Sequence, residues 1–336
     1  MTDIASTEMT ATNLAPPGTE PLESRLEQYR VELTAYCYRM LGSAFEAEDA
    51  VQDAFVRAWR NFDKFEGRSS LRSWLYRIAT NVCLDMLTGR ERRARPMDLG
   101  PALTADHPLG SPLPEVTWLQ PIPDGRVLPV GGDPAAVAEV RESVRLAFVA
   151  ALQLLPPRQR AVLILREVLK WKASEVAELL DTTVVSVNSA LQRARATLAE
   201  RNLTTLEAND VVDERQRELL DRYVEAFEAF DIPSLVQLLR DDATMSMPPY
   251  PLWLQGADEL GAWLRGPGSA CRGSRLAPVE ANGAPAFAQW RRDADGNYYA
   301  WCIHVLRISR GRIAGIDFFV DEKLFPLFGQ PVVVDA

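Results

Sequence analysis

The segment from Pro96 to Pro134 constrains this chain more than any other. Prolines recur along it at short intervals, joined by Gly100, Gly110, Gly125, Gly131 and Gly132. Proline removes a backbone donor and glycine resists ordering, so this composition cannot sustain helices or strand ladders and is expected to behave as an extended tether. It parts a helix-patterned stretch, 22–95, from a second one, 135–205, and residues 213–336 change character again. At 336 residues the chain exceeds the usual size of one hydrophobic core, so several domains are expected. Residues 1–21 are polar and rich in Ala, Thr and Pro, without the basic start and apolar run of a signal peptide, and read as a disordered tail.

With 47% hydrophobic and 25% charged residues the composition is that of folded soluble protein. No run approaches the ~20 apolar residues of a membrane span, so no membrane partner is expected. Cys37, Cys83, Cys271 and Cys302 are far apart, and only His107 and His304 are available to join them. Neither a zinc site nor a disulfide framework is suggested, no cofactor is implied, and a reducing cytoplasm fits best. The formal net charge of -9 argues against a protein that coats nucleic acid by bulk positive charge. Any DNA contact must be local or assisted by a partner.

In residues 47–59 the apolar positions Val51, Ala54, Phe55, Ala58 and Trp59 recur at helical spacing. Asp49, Gln52, Asp53 and Arg60 fall outside that stripe, as a solvated helix face would. A second periodic run, Leu71, Trp74, Leu75, Ile78, Ala79, Val82 and Met86, follows the polar loop Asn61 to Ser70, where Ser69 or Ser70 could cap it. Its end carries Arg90, Arg92, Arg93 and Arg95. Clustered arginines beside Trp74 and Tyr76 suit phosphate neutralisation and base stacking; a basic helix end that complements the helix dipole is the equal alternative.

The order Glu48-Asp49-Ala50-Val51-Gln52-Asp53-Ala54-Phe55, then Phe65-Glu66-Gly67-Arg68-Ser69-Ser70-Leu71-Arg72-Ser73-Trp74-Leu75-Tyr76-Arg77-Ile78-Ala79-Thr80-Asn81, resembles region two of the sigma-70 family, extracytoplasmic-function type. The resemblance implies that Asp49, Gln52 and Asp53 bind the beta-prime clamp of core RNA polymerase. It further implies that Asn61, Arg68 and Ser69 capture a flipped base of the minus-ten promoter element. Trp74, Arg77, Asn81 and Asp85, with Arg92 and Arg93, would hold the melted strand.

Between Ala135 and Arg201, two short helical patterns flank a turn at Asp181-Thr182-Thr183, with Ser174 opening the first and Val184, Val187, Leu191, Ala194 and Leu198 inward on the second. This is a helix-turn-helix pattern. Ser186, Asn188, Ser189, Gln192, Arg193 and Arg195 are its exposed second-helix positions, able to hydrogen-bond base edges and phosphates; a polar bundle surface is the bland reading. The stretch resembles region four of the same family, which implies contact with the minus-thirty-five element and the beta flap. Asp181 stands where many relatives have a turn glycine.

Residues 213–336 add helices led by Leu219, Tyr223 and Phe227, by Ile232 to Arg240 and by Gly256 to Leu264. Strand-like runs follow at Ala286 to Arg291, Tyr298 to Ile308 and Ile313 to Val320, parted by Asp295-Gly296-Asn297 and Arg310-Gly311. Helices before an antiparallel meander imply an α+β domain, and the pattern resembles a SnoaL-like (nuclear-transport-factor-like) cone. The whole chain is thus expected to be multidomain: two all-α sigma domains, the second a helix-turn-helix, and an α+β cone.

Alternation along Tyr298 to Leu306 places Tyr298, Ala300, Cys302, His304 and Leu306 on one face, and either face could line a pocket for a small-molecule ligand. His304 and Asp317 are its candidate acid or base, against a hydrogen-bonded histidine and a surface aspartate. The resemblance favours a cone that regulates in cis, the alternative being a bifunctional protein that converts a small molecule. Trp118, within Pro114-Glu115-Val116-Thr117-Trp118-Leu119-Gln120-Pro121, is a candidate docking anchor of the linker, although Gln120 departs from the related motif.

Overall fold

The computed structural model describes residues 21–67, 69–131, 133–200 and 214–335. Residues 1–20 of the expected tail 1–21, and Arg68, lie outside the described residues. The first module consists of α1 (Leu22–Glu27), α2 (Arg30–Leu41), α3 (Ala44–Arg60) and α4 (Leu71–Leu87). Ser43 starts α3 by accepting a hydrogen bond from Glu46 N at 3.2 Å, and Ser70 starts α4 by accepting one from Ser73 N at 3.1 Å. The buried stripe of α3 is narrower than the periodicity suggests: Ala47, Ala50, Val51, Ala54 and Ala58 face inward, whereas Trp59 is 59% exposed. The small alanines let α2 and α4 approach closely, and Trp59, one residue past Ala58, rotates out of that seam.

The linker is not an extended tether. Leu103 N donates to Trp253 O at 2.9 Å and Leu113 N to Pro249 O at 2.9 Å, fastening its first half to the C-terminal domain. Leu119 N then donates to Ala94 O at 3.1 Å and Gln120 N to Gly42 O at 3.0 Å, fastening its second half to the first module. Trp118, Leu119, Ile122 and Val127 are buried, and a short helix, α5 (Asp124–Val127), forms within it. Proline spacing hides these contacts because the residues between the prolines supply the donors and the apolar surface.

The second module contains α6 (Pro134–Val144), α7 (Leu146–Gln153), α8 (Pro157–Leu163), a π-helical turn over Ile164–Val168, α9 (Ala173–Leu179) and α10 (Val184–Glu200). Helix α9 begins at Ala173, one residue before the expected Ser174, where the Glu175 carboxylate accepts from Lys172 N at 2.7 Å. Asp181 adopts φ 51°, the left-handed conformation for which glycine is the usual choice.

The C-terminal domain opens with α11 (Glu214–Glu228) and α12 (Ile232–Leu238) and continues into β1 (Leu239–Ser246), β2 (Trp253–Gln255), α13 (Ala257–Arg265), β3 (Arg275–Ala281), β4 (Ala284–Arg292), β5 (Tyr298–Ser309), β6 (Arg312–Phe319), α14 (Leu324–Leu327) and β7 (Val333–Val334). The sheet order is β2-β1-β6-β5-β4-β3, with β7 beside β5. The expected meander is present as β4 to β6 and is extended by β3, which was not expected, while β1 pairs parallel to β6, so the sheet is mixed. Leu239 and Arg240, expected at a helix end, already belong to β1.

The two sheet faces bury different things. Phe287, Cys302, Leu306, Ile316 and Phe318 pack with α11 to α13 inside the cone. Ala286, Ala288, Ile303, Val305 and Phe319 face the other way and join one continuous apolar cluster with both helical modules and the linker. A register shift between Gln289 and Trp290, opposite Trp301, moves Tyr298 and Ala300 onto this outer face, which corrects the simple alternation.

His304 sits fully buried in the cone. Its Nε2 lies 2.8 Å from Gln289 Oε1 and its Nδ1 2.9 Å from the Tyr223 hydroxyl. Because the amide oxygen only accepts, Nε2 carries the proton and Nδ1 accepts from the tyrosine. Burial lowers the His304 pKa from 6.5 to about 3. The unfolded chain therefore takes up a proton near its ordinary value while the folded chain does not, and stability is lost as the pH falls below about 6.5, at up to about 1.4 kcal/mol per pH unit. Asp124, pushed up to about 6 by burial, acts with the opposite sign between its ordinary value and that one. The difference between wild type and His304→Gln isolates the histidine: denaturant unfolding should show wild type losing about 2 kcal/mol relative to the variant between pH 7 and pH 5. A pH-independent difference would refute a neutral, sealed imidazole.

Candidate nucleic-acid interface

Along α3, Asp49 and Gln52 are exposed, and the half-buried Asp53 pairs with Arg57 at 2.8 Å. Arg57 also reaches Asp85 on α4 at 3.4 Å, so Asp53 and Asp85 share one cation. Val56 and Trp59, 39% and 59% exposed, lie four and seven residues beyond Gln52 on the same side of the helix. The result is an acidic surface with an exposed apolar centre. Sequence reasoning assigned Trp59 to the core and missed it here, although its spacing of seven from Gln52 was the available signal.

Where α3 and α4 diverge, Arg57, Asn61, Trp74, Arg77, Ile78 and Asn81 line an open hollow of about 300 Å³. Four of the expected minus-ten residues thus come together around one depression. Phe65 and Phe62 back the Trp74 ring at centroid distances of 5.0 and 6.3 Å, fixing its plane. Ser69 is half-buried, and Asp85 and Arg92 are exposed. Arg93 is a correction: it is 6% exposed and donates to Glu115 O at 3.0 Å and Trp118 O at 2.7 Å while pairing with Glu46 at 3.0 Å. Its guanidinium holds the linker rather than facing solvent, because two backbone carbonyls and a carboxylate consume the donors a phosphate would need.

In the second module, Thr183 accepts from Ser186 N at 3.1 Å and starts α10. Ser186, Asn188, Gln192, Arg193 and Arg195 are exposed along α10 and Ser189 is half-buried, with Arg195 paired to Glu167 at 2.5 Å. Val187, Leu191 and Ala194 anchor the opposite side, and Leu198 is half-buried. Val184 is 42% exposed rather than inward, since the first turn of the helix projects beyond the bundle. A helix with an uncovered polar ridge beside a tight turn is the geometry that enters a major groove.

Residues 26–93 match the model of sigma-70 region 2, residues 145–198 that of sigma-70 region 4, and residues 220–316 that of the SnoaL-like domain. Over 326 residues the chain is 45% identical to the ECF RNA polymerase sigma factor SigG of Mycobacterium tuberculosis, spanning 94% of this chain and 87% of that protein. The chain belongs to the extracytoplasmic-function sigma factors. It is also 30% identical over 173 residues to SigW of Bacillus subtilis, covering 52% of this chain and 84% of that one. The crystal structure of SigJ from Mycobacterium tuberculosis shares the fold, with a TM-score of 0.58 at 22% identity over 92% of this chain and 99% of that chain.

In this sigma factor the two helical modules touch. Trp171, between the π-helical turn and α9, packs on Tyr76 of α4 at 5.1 Å between centroids, and the Arg72 guanidinium lies 5.6 Å over the Trp171 ring. Arg72 also forks onto Glu32 at 2.8 to 3.0 Å.

The pair singled out in the cone does not form a site. His304 stands opposite Phe318, and Val305 opposite Asp317, so the two residues point to opposite faces of the sheet. Asp317 is buried rather than at the surface, where its Oδ1 accepts from the Ser246 hydroxyl at 2.5 Å. Inside the cone, Tyr223, Phe227, Met245, Leu260 and Phe318 surround a space of only about 10 Å³, no more than a single water needs.

Because Arg93 joins module to linker, Arg93→Met should destabilise the folded chain by about 2 kcal/mol, leaving the Trp118 carbonyl without its donor and Glu46 with Arg90 alone. Thermal unfolding together with limited proteolysis between residues 99 and 117 measures it. A variant as stable and as protease-resistant as wild type would contradict this role.

Proposed function

We propose that this sigma factor directs core RNA polymerase to promoters and that its cone holds it closed in cis until it is released. Asp49, Gln52 and Asp53, with Val56 and Trp59 at their centre, are the surface offered to the polymerase clamp. Asn61, Arg68, Ser69, Trp74, Arg77, Asn81, Asp85 and Arg92 hold the melted minus-ten strand. Ser186, Asn188, Ser189, Gln192, Arg193 and Arg195 read the minus-thirty-five element, and Trp118 anchors the linker. The cone acts through binding rather than catalysis, a reading supported by its filled interior and by the opposed directions of His304 and Asp317.

Geometry supports the closed state. Promoter elements about 25 base pairs apart are separated by roughly 85 Å of duplex, whereas the two modules here pack side by side. One polypeptide cannot span both elements without parting them.

The observation that carries the proposal is the β3–β4 turn. Asn282 is buried there at φ 56°, and its side chain donates to the Tyr38 hydroxyl and to Val144 O, both at 2.7 Å, and accepts from Ile122 N at 3.0 Å. Gly283 N donates to the Asp124 carboxylate at 2.7 Å. One turn of the cone therefore bonds the first module, the linker and the entrance to the second module.

Asn282→Ala removes three buried hydrogen bonds and strains a left-handed position, a loss of about 3 kcal/mol for the closed state. Transcription with core polymerase should rise several-fold, and the distance between fluorophores on the two modules should lengthen. Unchanged output with an unchanged distance would overturn cis restraint.

A further inference from the structure

Between the outer face of the sheet and the start of the second module lies a cleft of about 480 Å³. Arg95 from the linker entrance, Arg145 from the α6–α7 junction, Arg240 from β1 and Arg307 from β5 all line it. Asp242 is the carboxylate among its lining residues. Each of the four has a carboxylate beside it: Asp98 at 3.2 Å from Arg95, Glu142 at 2.6 Å from Arg145, Asp242 at 2.9 Å from Arg240 and, more loosely, Asp317 at 3.9 Å from Arg307.

The cleft is built, not incidental. Arg307 reaches from β5 across β6 to Thr244 on β1, where its Nη2 donates to Oγ1 at 2.5 Å. It crosses β6 at Gly315, where an added Cβ would stand 2.0 Å from Nη2 and 2.6 Å from Cζ. Any side chain at that position would expel the guanidinium. Ser246 holds Asp317, which lies 3.9 Å behind Arg307 Nε. On the facing wall, Arg145 pairs with Glu142 at 2.6 Å through one terminal nitrogen, while its Nε is buried without a protein hydrogen-bond partner. Burial, the largest cause, pulls the Arg145 pKa below the ordinary guanidinium value, against the opposing effect of Glu142. Leu146 and Ala147, also in the wall, belong to the first turn of α7, whose free N–H groups favour negative charge.

A guanidinium has five donors and one carboxylate occupies a single edge; Arg240 is taken up by Asp242 and the Ser309 hydroxyl, which leaves Arg307 and Arg145 as the cations the cleft offers. The remaining donors converge from two domains on a space within the size range of small-molecule sites, with Val305 and Ile308 as apolar floor.

We propose that this interdomain cleft binds a phosphate-bearing small molecule, which bridges Arg307 of the cone to Arg145 of the second module. Such a ligand contacts both sides only while they are together. It therefore favours the closed form in proportion to its differential affinity, and this consequence rests on the closed-state reading above.

Calorimetric titration of the full chain with inorganic pyrophosphate and with adenosine diphosphate tests the site. Wild type should bind at least one of them at submillimolar concentration; tighter binding of the diphosphate would identify a nucleotide-like body, and equal binding a bare polyphosphate. Arg307→Gln and Arg145→Gln should each weaken binding tenfold or more, and Arg275→Gln, placed over Tyr298 instead, should not. Ala147→Glu, which adds a carboxylate to the wall, provides the same loss without removing an arginine. Absence of binding by both probes, or an equal loss in Arg275→Gln, would overturn the site. Outcomes for this proposal and for cis restraint separate cleanly: failed binding alongside an Asn282→Ala variant that opens removes the ligand alone.

Discussion

Three hydrogen bonds from the side chain of Asn282 hold the architecture in its observed arrangement. The residue is 1% exposed, so each of its polar atoms had to find a protein partner or be buried at a cost of a few kcal/mol. The partners belong to α2, the linker and the end of α6, which fixes the position of the cone relative to both modules at once. The backbone allows no substitute of ordinary shape. Asn282 and Gly283 occupy φ 56° and 68°, and a Cβ on Gly283 would fall 2.4 Å from Arg141 Cγ. A two-residue Asn-Gly turn meets both demands, since it tolerates the left-handed region and leaves room for α6 to approach.

Specificity of docking comes from polar groups, although the energy comes largely from apolar burial. The outer sheet face, the linker and both modules share one apolar cluster, and such surfaces would slide if nothing fixed their register. Gln120 supplies one such fix. It is 5% exposed, accepts from the Ser43 hydroxyl, donates to Glu115 at 2.9 Å, and its carbonyl accepts from the Tyr38 hydroxyl at 2.7 Å. Ser43 is also the residue that starts α3, so the linker is bonded to the helix that carries Asp49 and Gln52. Tyr38 meets both Gln120 and Asn282, and through it the two locks act on the same hydroxyl.

The helical modules were legible from sequence because each helix carries its own period and cap. Ser70 at the start of α4 and the apolar positions of α10 are local signals, and most of them survive folding unchanged. Three features were not legible. The linker hid its contacts because proline suppresses periodicity while the residues between prolines do the bonding. The bulge at Trp301 reversed the facing of Tyr298 and Ala300, and no strict alternation can anticipate a register shift. Arg93 looked like its exposed neighbours because its partners, Glu46, Glu115 and Trp118, are distant in sequence. The Asn282-Gly283 turn, by contrast, carried a strong hairpin signal that periodicity over β3 was too weak to support, since Pro278 interrupts it and Arg275 and Glu280 are exposed.

A ligand on the outside of the cone would act differently from one enclosed within it. A ligand enclosed within the barrel would alter the sheet only indirectly, through packing that is already complete around Tyr223 and His304. A charged ligand on the outer face would act where the cone meets the second module, so its contacts would exist in the closed arrangement and vanish on opening. Arg307 and Asn282 lie on neighbouring parts of that face: β5 carries the first, and the turn entering β4 the second. Separation of the modules would break the Asn282 bonds and disperse the arginines in one movement. The same surface thus couples the energy of closure to the electrostatics of the cleft, without any conformational change inside the cone.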